Sequence, residues 1–539
     1  MKQLLNFGFQ YIKKKWYFLY LVIYCGSSIF MIARTWILGN IIDAITKGNQ
    51  HELLRMVFYF SIMLLLIKIL SLFLNRIYLY IETDAAYILN IEIINKLYKV
   101  SYTNICKEDP VVINQKINND CNLIIGFCIS FFRDVISNIA NLLLISVIII
   151  CYMPALGIVL FILVCLYIII YLFSKRKIYK ASYEVKEKQT KFFAGLCSII
   201  TGIKSIRNNG FAEKVFGKQN HLFDEYYRVL MDRQNILNIY NFASSNISLV
   251  AQVYLLLYGG IQVIKENLSI GFLTAAITYF SNIIQSANFF LNLGEKFQET
   301  LASYNRLLPY LTMKEIQYGK KRLQKIQSIK FQDVKFKYPG EKYLFCFNER
   351  FETGNIYWIE GKNGIGKTTL INLLMGLFGT EYNGVIKIND VDIKELDYRY
   401  MVESKISIVE QNPYLLLDSI KNNIYCKEQN IINEQVFSEL IDKFKMRDII
   451  LRENRYLDNY EYANLSDGEK QKIVILRMLL SDSDVWILDE PTSSLDKESK
   501  NILYQELKKR KEKRIIILIT HEKPQIYDKI IPIGEYKVE

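Results

Sequence analysis

The distribution of apolar residues divides the chain into two parts. In residues 1–313, six apolar stretches are each long enough, at about 1.5 Å per residue, to cross about 30 Å of hydrocarbon. They lie near residues 16–37, 56–80, 131–152, 154–174, 243–264 and 269–292. Only Met153-Pro154 separates the third stretch from the fourth, and proline ends one helix and opens the next. The pattern predicts an all-α domain of six transmembrane helices.

Two polar intervals separate these predicted spans, at residues 81–130 and 175–242. Both keep a helical spacing of apolar side chains, so they predict helices that continue out of the membrane as cytoplasmic extensions. Such extensions end in turns. Two segments with polar or helix-breaking residues are candidates for these bends, Lys107-Glu108-Asp109-Pro110 and Asn208-Asn209-Gly210.

The pattern changes in residues 326–539, where short apolar strands alternate with helices. This alternation is typical of an α/β fold with a parallel sheet. A basic linker at residues 314–325 joins the two parts. The sequence therefore predicts a multidomain chain, with a helical membrane domain followed by an α/β domain.

Charge follows the same division. Residues 321–539 contain 35 basic and 35 acidic side chains, so the whole net charge of +13 lies in residues 1–320. The basic residues there flank long apolar stretches, which favours a membrane protein over a nucleic-acid-binding protein. A hydrophobic content of 51% supports this interpretation, and we expect no nucleic-acid partner.

Basic residues beside the spans predict the orientation of the chain. One side is rich in them: Lys13, Lys14, Lys15, Arg76, Lys175, Arg176, Lys177 and Lys180. The loops on the other side carry only Lys47, Arg55 and Lys265. By the positive-inside rule, both chain ends and the α/β domain are predicted to be cytoplasmic, in a multi-pass protein of the cell membrane.

Several polar side chains lie inside the predicted spans, where contact with lipid is costly. They are Lys68, Asn138, Asn141, Gln252, Asn282, Gln285 and Asn288. Two interpretations remain open. These side chains either line a polar cavity for a transported molecule or hold the helices together through interhelical hydrogen bonds.

The segment Gly361–Thr369 has the spacing GxxxxGK[ST] and lies between a β-rich segment and a helix-forming one. Glycines let successive backbone N–H groups converge on phosphate oxygens, and Lys367 then reaches the β and γ groups. Thr368 would place its hydroxyl on Mg²⁺. This strand–loop–helix context predicts a site for nucleotide phosphates.

A second apolar strand, Val485–Leu488, is followed by the carboxylates of Asp489 and Glu490. An acidic strand end of this kind holds Mg²⁺ and water beside phosphates. Asp489 is predicted to orient the metal, and Glu490 to act as general base toward the attacking water.

Three further motifs accompany these residues. They are Leu465-Ser466-Asp467-Gly468-Glu469-Lys470-Gln471, Pro491-Thr492-Ser493-Ser494-Leu495-Asp496, and His521 after the apolar run 515–520. With the phosphate segment they resemble the ATP-binding cassette (ABC) transporters, and the resemblance covers essentially the whole chain. The six-span part is similar in layout to the type IV exporters. The implied fold is a six-helix transmembrane domain followed by a P-loop ATP-binding cassette domain at 326–539.

The resemblance implies ATP and Mg²⁺ as cofactors and gives roles to individual side chains. Catalysis is implied for Glu490, the switch histidine His521 and the Q-loop glutamine Gln411. Thr368, Gln411 and Asp489 would hold Mg²⁺, and Tyr338 would stack on adenine. The nucleotide-binding residues implied are Tyr338, Asn363, Gly364, Gly366, Lys367, Thr368, Thr369, Ser466, Gly468, Glu469 and Asp496.

In this family the signature segment, Leu465 to Glu469, closes over ATP held by a second subunit. A chain with one cassette and one membrane half therefore implies a dimer, most simply a homodimer. Asp467 and Glu469 stand where the commonest signature has glycine and glutamine, and Asp467 would put a negative charge near the partner's γ-phosphate. Ser466 and Glu469 also form the S-x-x-E pattern of a helix capping box.

The resemblance implies an ATP hydrolase coupled to transport. The expected function is export across the cytoplasmic membrane of a peptide, such as a bacteriocin or modified peptide, or of a hydrophobic drug. A flippase for a lipid or a lipid-linked molecule is an alternative with the same machinery. An alternative of another class is an ATP-gated membrane channel or sensor in which hydrolysis is incidental.

Overall fold

The computed structural model describes residues 1–106, 108, 110–152, 154–338, 345–361, 364–416, 418–425, 434–452 and 465–533. Two compact units divide the chain: Met1–Tyr98 with Glu108–Met313, and Lys99–Lys107 with Lys314–Glu539. The bend candidates Lys107 and Asp109, the link residue Met153 and the predicted nucleotide-binding residue Asn363 lie outside the described residues.

Long helices build the first unit. Its helices, in chain order, are α1 (Lys2–Phe9), α2 (Lys14–Thr46), α3 (Gln50–Lys99), α5 (Pro110–Tyr152), α6 (Pro154–Thr201), α7 (Ile203–Asn209), α8 (Ala212–Ile264) and α9 (Ile270–Thr312). The short helix α4 (Tyr102–Ile105) lies between α3 and α5 in the chain and belongs to the second unit. The six predicted spans fall in α2, α3, α5, α6, α8 and α9. Each of these helices is longer than its span. Gly210 takes a left-handed conformation with a φ of 68° after α7, as a helix-ending glycine does.

Membrane-spanning character is clearest in three helices of the described chain. Lys14–Thr46, Gln50–Lys99 and Pro110–Ile150 are long and apolar enough to cross a bilayer. Shorter apolar segments, Gln252–Ile264 and Ile270–Ile283, lie within α8 and α9. Outward side chains such as Phe18 and Leu72 are exposed, which suits a surface that contacts lipid. The protein is thus a membrane protein, and the count of six crossings stays a prediction.

Close backbone approach holds α2 against α9. A side chain at Gly39 would place its Cβ 2.9 Å from the carbonyl oxygen of Gly271, so only glycine fits there. One turn farther along α2, the carboxylate of Asp43 accepts hydrogen bonds from the hydroxyl of Ser269 (2.8 Å) and the backbone N–H of Gly271 (2.7 Å). The start of α9 is therefore fixed on the end of α2.

A buried ionic cluster joins the helical extensions. Asp120 on α5 is fully buried and accepts hydrogen bonds from Arg306 Nη2 (2.7 Å) and Nε (3.0 Å) on α9. Lys186 Nζ on α6 lies 3.5 Å from the same carboxylate. Removing one partner would leave an uncompensated charge away from water, so the three helices depend on one another here.

The second unit contains two sheets. Its strands are β1 (Ser328–Phe336), β2 (Phe345–Phe347), β3 (Arg350–Glu352), β4 (Ile356–Glu360), β5 (Asn383–Ile388), β6 (Val391–Asp392), β7 (Ile406–Val409), β8 (Val485–Asp489), β9 (Ile515–Ile519) and β10 (Lys529–Pro532). An antiparallel sheet has the order β2-β1-β5-β6, with β3 also paired to β1. A parallel sheet has the order β10-β4-β9-β8-β7.

Helices cover the parallel sheet. They are α10 (Lys367–Leu374), α11 (Tyr398–Ser404), α12 (Ile420–Ile424), α13 (Glu434–Lys443), α14 (Arg447–Arg452), α15 (Asp467–Leu479) and α16 (Lys497–Arg510). Strands β8 and β9 are apolar at successive positions because both faces are buried: Ile487 and Ile517 belong to one core cluster, and Trp486 and Leu518 to the other. The fold class predicted from the sequence is confirmed.

Residues Lys99–Lys107, which connect α3 to α5 along the chain, group with the second unit. The sequence predicts that this helical extension ends in a turn near residues 107–110 that docks on the α/β domain, but it does not specify the contacting residues. The backbone N–H of Tyr102 donates to the carbonyl of Leu377 (2.9 Å), and Thr103 Oγ1 donates to Glu381 Oε2 (2.5 Å). Short helix α4 is therefore anchored on the loop that follows α10.

Candidate functional site

The carboxyl ends of four parallel strands meet at one edge of the second sheet. Segments that leave β4, β7, β8 and β9 carry Lys367, Gln411, Asp489 and His521, and parallel neighbours bring such ends together. The resulting cavity has a volume of about 350 Å³. Its lining residues are Gly364, Gly366, Lys367, Thr368, Thr369, Gln411, Asp489, Glu490 and His521.

Glycine conformation shapes the loop before α10. Gly364 has a φ of 78° and Gly366 a φ of 110°, values that residues with a side chain rarely adopt. The turn brings the first backbone N–H groups of α10 to the cavity. These N–H groups and the positive end of the helix dipole favour binding of an anion there. Lys367 is buried, and its Nζ lies 3.1 Å from the carbonyl oxygen of Gly361 and 3.1 Å from His521 Nδ1.

Asp489 is a half-buried carboxylate at the end of β8. Desolvation, followed by the negative charge of Glu490, raises its pKa, the positive charge of Lys367 lowers it, and the net pKa is about 6. A cation beside Asp489 would offset this unfavourable negative charge. The hydroxyl of Thr368, the amide of Gln411 and this carboxylate are oxygen donors of the kind that Mg²⁺ prefers, so the residues present fit that ion.

Glu490 has a strained backbone with a φ of 47°, held by its N–H, which donates to the carbonyl of Ile519 (2.8 Å). Its Oε1 is buried and accepts no hydrogen bond within the described chain. His521 Nε2 lies 3.4 Å from that oxygen, within ion-pair range but without hydrogen-bond geometry. A carboxylate oxygen with a free lone pair is what a general base toward water requires.

Tyr338 does not line this cavity. Its ring packs edge-on against Phe336, at 4.9 Å between centroids, and against Phe378, at 5.6 Å. Phe378 follows α10 and was not singled out by sequence, because an aromatic residue after a helix carries no motif. Whether Tyr338 stacks on adenine stays a prediction.

The predicted signature residues Ser466, Gly468 and Glu469 also lie outside the cavity of their own chain. The predicted capping box is present: Ser466 Oγ accepts from the N–H of Glu469 (3.2 Å), and Glu469 Oε2 accepts from the N–H of Ser466 (2.7 Å). A Cβ at Gly468 would lie 2.7 Å from the carbonyl oxygen of Ser494, so the glycine allows this close approach.

Asp467 points into solvent. Its side chain is 87% exposed, and Lys470 Nζ lies 3.8 Å from it. Within its own chain the carboxylate therefore faces away from the phosphate loop, and its charge is partly offset by that lysine.

Asp496 caps α16 and ties it to the signature helix. Its carboxylate accepts from the N–H of Ser499 (2.8 Å) and lies 2.9 Å from Lys472 Nζ on α15. Those two contacts hold the pKa of Asp496 well below its usual range, the Ser499 N–H contributing most. The sequence signal that was missed is Lys472, the sixth residue of α15.

Known proteins resemble both units. Residues 17–287 match the family described as ABC transporter transmembrane region, and residues 346–493 match the family described as ABC transporter. The chain is similar to an ATP-dependent lipid A-core flippase of Pectobacterium atrosepticum, with 28% identity over 51% of this chain and 48% of the relative. It is also similar to the lactococcin-A transport/processing ATP-binding protein of Lactococcus lactis, with 26% identity over 61% of this chain and 47% of the relative.

A solved bacterial Atm1-family ABC exporter with ATP bound has the same fold. The TM-score is 0.78 at 18% sequence identity, and the match covers 96% of this chain and 92% of that chain. The chain spans about half the length of the curated relatives it matches.

Proposed function

The chain belongs to the ABC transporter family, since the transmembrane match at residues 17–287 alone covers half of it, and we propose that it is an ATP-driven exporter. One observation carries the proposal. A single cavity of about 350 Å³ gathers the phosphate loop, Gln411, Asp489, Glu490 and His521. A phosphate-binding loop beside a half-buried acidic strand end and a histidine is suited to hydrolysing a nucleotide.

The side chains divide the chemistry among them. Gly364 and Gly366 turn backbone N–H groups toward phosphate oxygens, and Lys367 supplies a positive charge. Bound Mg²⁺, held by Thr368, Gln411 and Asp489, would supply further positive charge to the transferred phosphate.

Two residues would act on the attacking water and the γ-phosphate. Glu490 accepts a proton from water through its unpartnered Oε1, and His521 donates to the γ-phosphate while its other ring nitrogen stays close to Glu490. The closeness of these two groups supports turnover of ATP, which an ATP-gated channel or sensor would not need.

We propose a homodimer with composite ATP sites. Ser466 and Gly468 do not line the cavity of their own chain, which is consistent with a signature segment that serves a second copy. The partner is then another molecule of the same chain, and ATP closes the two cassettes on each other. Tyr102 and Thr103, which follow α3 in the chain, are anchored on the cassette, and we propose that they take part in coupling.

The proposed setting is the cell membrane, with the cassette and both termini in the cytoplasm. The excess of basic residues at the ends of α2, α3 and α6 supports this orientation. A peptide is the proposed cargo. The similar proteins include a lactococcin-A transport protein and a lipid A-core flippase, so a lipid or a hydrophobic drug stays an alternative.

The test uses the purified full chain reconstituted in liposomes. Glu490→Gln should lower the ATPase rate by about 100-fold or more and keep ATP binding, because it removes the proton acceptor alone. Glu522→Gln is the matched control, since Glu522 is exposed and does not line the cavity. An unchanged ATPase rate in Glu490→Gln would exclude the mechanism. A transport assay in inside-out vesicles distinguishes an exporter from an ATP-gated channel. An exporter accumulates cargo above its equilibrium level when ATP is added, whereas a channel only equilibrates it.

A further inference from the structure

The first unit has two tryptophans, and both lie on α2. Trp16 and Trp36 are exposed and lie twenty positions apart, which is about 30 Å along a helix. This length matches the hydrocarbon core of a bilayer, and tryptophan is enriched at both of its borders. The two rings therefore mark where α2 enters and leaves the membrane. The exposed residues between them are all apolar: Phe18, Leu19, Val22, Ile29, Phe30 and Met31.

A neighbouring ring and a short helix support this border at Trp16. The Trp16 ring packs edge-on against Tyr80 of α3, at 5.7 Å between centroids. Helix α1, which comes just before Trp16 in the chain, buries its Leu4 and Leu5. The chain before Trp16 thus suits the polar headgroup region rather than the hydrocarbon. The exposed residues of α1 are polar: Lys2, Gln3 and Asn6.

Three lysines precede Trp16 at this border, and they differ in their contacts. Lys13 Nζ lies 2.9 Å from Asp84 Oδ1 and donates to Tyr80 Oη (3.0 Å), so its charge is already paired. Lys14 and Lys15 are exposed and form no hydrogen bond or ion pair with the described residues. The start of α2 therefore carries two uncompensated positive charges.

The elements around these two lysines supply no anion to them. Residues 1–42 contain no aspartate or glutamate. Asp43, the first acidic residue, lies near the far end of α2, and Asp84 on α3 is paired with Lys13. An anionic partner for Lys14 and Lys15 is therefore not supplied by α1, by α2 or by the contact with α3.

The surroundings of these lysines favour a phospholipid over a soluble anion. Phe18 and Leu19, about one turn farther into the membrane, are 70% and 43% exposed. An acyl chain covers such side chains, whereas a free phosphate cannot. Basic residues beside a membrane attract anionic headgroups. The ammonium group of phosphatidylcholine would instead be repelled by the lysines, so the chemistry selects a lipid with a net negative charge.

We propose that the start of α2 binds anionic phospholipid of the bilayer, with Lys14 and Lys15 contacting headgroup phosphates and acyl chains lying along Phe18 and Leu19. In the proposed orientation this is the cytoplasmic leaflet. The inference goes beyond the proposed export function and depends neither on ATP hydrolysis nor on the cargo.

Fluorescence quenching by brominated lipids tests the proposal at this position. A full chain with Trp36→Phe keeps Trp16 as the single tryptophan of the first unit, while Trp358 and Trp486 are 6% and 0% exposed in the cassette. This chain is placed without nucleotide in nanodiscs of phosphatidylcholine and phosphatidylglycerol, with one lipid or the other brominated on its acyl chains. The difference in quenching gives the preference of the site for phosphatidylglycerol. We expect about fivefold or more, the effect of one lysine beside an anionic lipid surface.

Variants in the same background assign that preference to residues. Lys14→Gln with Lys15→Gln should bring it to within about twofold of no preference, and Lys14→Arg with Lys15→Arg should keep it, because the charge is what acts. Lys47→Gln is the matched control and should keep it in full, since Lys47 is exposed at the other end of α2.

A second reporter checks that the effect is local. A chain with Trp16→Phe and native Trp36 reports the opposite border of the same helix. Its preference for phosphatidylglycerol should stay within about twofold of none, because Lys14 and Lys15 lie about 30 Å away.

Four outcomes would overturn the proposal. Absence of a preference at Trp16 in the chain with both lysines excludes it, whatever the variants do. A preference that survives the double glutamine change excludes the two lysines. An equal preference at Trp36 means a general attraction to the positive net charge of the protein. Loss of the preference when soluble glycerol phosphate is added assigns the lysines to a soluble phosphate instead.

Discussion

At the scale of single residues, Asp489 and Glu490 are neighbours in sequence with different environments. Asp489 ends a buried strand, and its pKa is raised to about 6, mostly by burial and then by the charge of Glu490. Glu490 has a left-handed backbone and a carboxylate oxygen without a hydrogen bond in the described chain. Both residues therefore carry unfavourable free energy in the free protein, which is typical of sites built for a ligand.

The raised pKa of Asp489 predicts a pH-dependent stability. The unfolded carboxyl has a pKa of about 3.8 and the folded one of about 6, so folding favours the protonated form. The cost of the buried charge is fully present above pH 6 and disappears as pH falls toward 4. Asp489→Asn should therefore raise the unfolding temperature at pH 7.5 by a few degrees, with a smaller gain at pH 5.

Thermal unfolding of the full chain in EDTA, without nucleotide, measures this difference. Asp482→Asn is the control, because the Asp482 side chain is 95% exposed and outside the cavity. A gain for Asp489→Asn that is equal at both pH values would contradict the assignment to burial.

Gly468 predicts a steric effect. The Cβ of Gly468→Ala would lie 2.7 Å from the carbonyl oxygen of Ser494, and backbone must move to accommodate it. We expect a loss of about 1–3 kcal/mol in stability and a lower ATPase rate, measured by thermal unfolding and phosphate release. Gly217→Ala, at a helical glycine with no neighbour within 4 Å of the added Cβ, should cost nothing. Equal effects of the two substitutions would rule out this packing.

At the scale of elements, α4 depends on one side-chain contact with the cassette. Thr103→Val removes the 2.5 Å hydrogen bond to Glu381 and places a methyl group against a carboxylate. We expect basal ATPase to persist and its stimulation by cargo to fall, since α4 would lose its anchor. ATPase assays with and without cargo give the ratio. Thr201→Val, whose hydroxyl bonds only to its own helix, should leave the ratio unchanged.

The ionic cluster of α5, α6 and α9 predicts that removing Asp120 and removing Arg306 lower the stability by different amounts. Arg306→Met leaves Asp120 with Lys186 as a partner. Asp120→Asn leaves Lys186 and Arg306 with only the half-exposed Glu187, 3.8 Å from Arg306, as a neighbouring carboxylate. Burial already lowers the pKa of Lys186 in the intact cluster. Asp120→Asn should therefore be the more destabilising change, by about 3–5 kcal/mol, and the double variant should cost less than the sum.

Thermal unfolding of the two single variants and the double variant measures this cycle. Arg399→Met, at an exposed pair with Glu403, is the control and should change stability by less than about 0.5 kcal/mol. An Arg306→Met variant less stable than Asp120→Asn would mean that Lys186 does not compensate Asp120.

At the scale of the whole molecule, the composite site predicts complementation between inactive chains. A Lys367→Ala chain lacks the phosphate lysine, and a Gly468→Asp chain has a disrupted signature. Each homodimer should be inactive. A mixed dimer purified through two different tags should regain up to half of the wild-type ATPase, because one of its two sites combines an intact loop with an intact signature. Placing both substitutions in one chain and none in the other should give no intact site, and activity there would refute the composite arrangement.

Much of this protein follows from local sequence. Helical periodicity and apolar length predict the six spans, and strand–loop–helix spacing predicts the phosphate loop, because both patterns arise within a few turns of chain. The capping box at Ser466 and Glu469 was predictable for the same reason. The anchoring of Thr103 on Glu381, 278 positions apart, was not, since no local pattern links them.

The sequence by itself determined the elements, the fold class and the identities of the residues suited to ATP chemistry, since backbone periodicity and motif spacing are local properties. Only the tertiary structure decided which side chains share an environment. Parallel strand order brings Gln411, Asp489 and His521 to Lys367. The packing of the signature helix leaves Asp467 exposed to solvent. Pairing and burial depend on contacts between distant segments, and these arise only when the whole chain has packed.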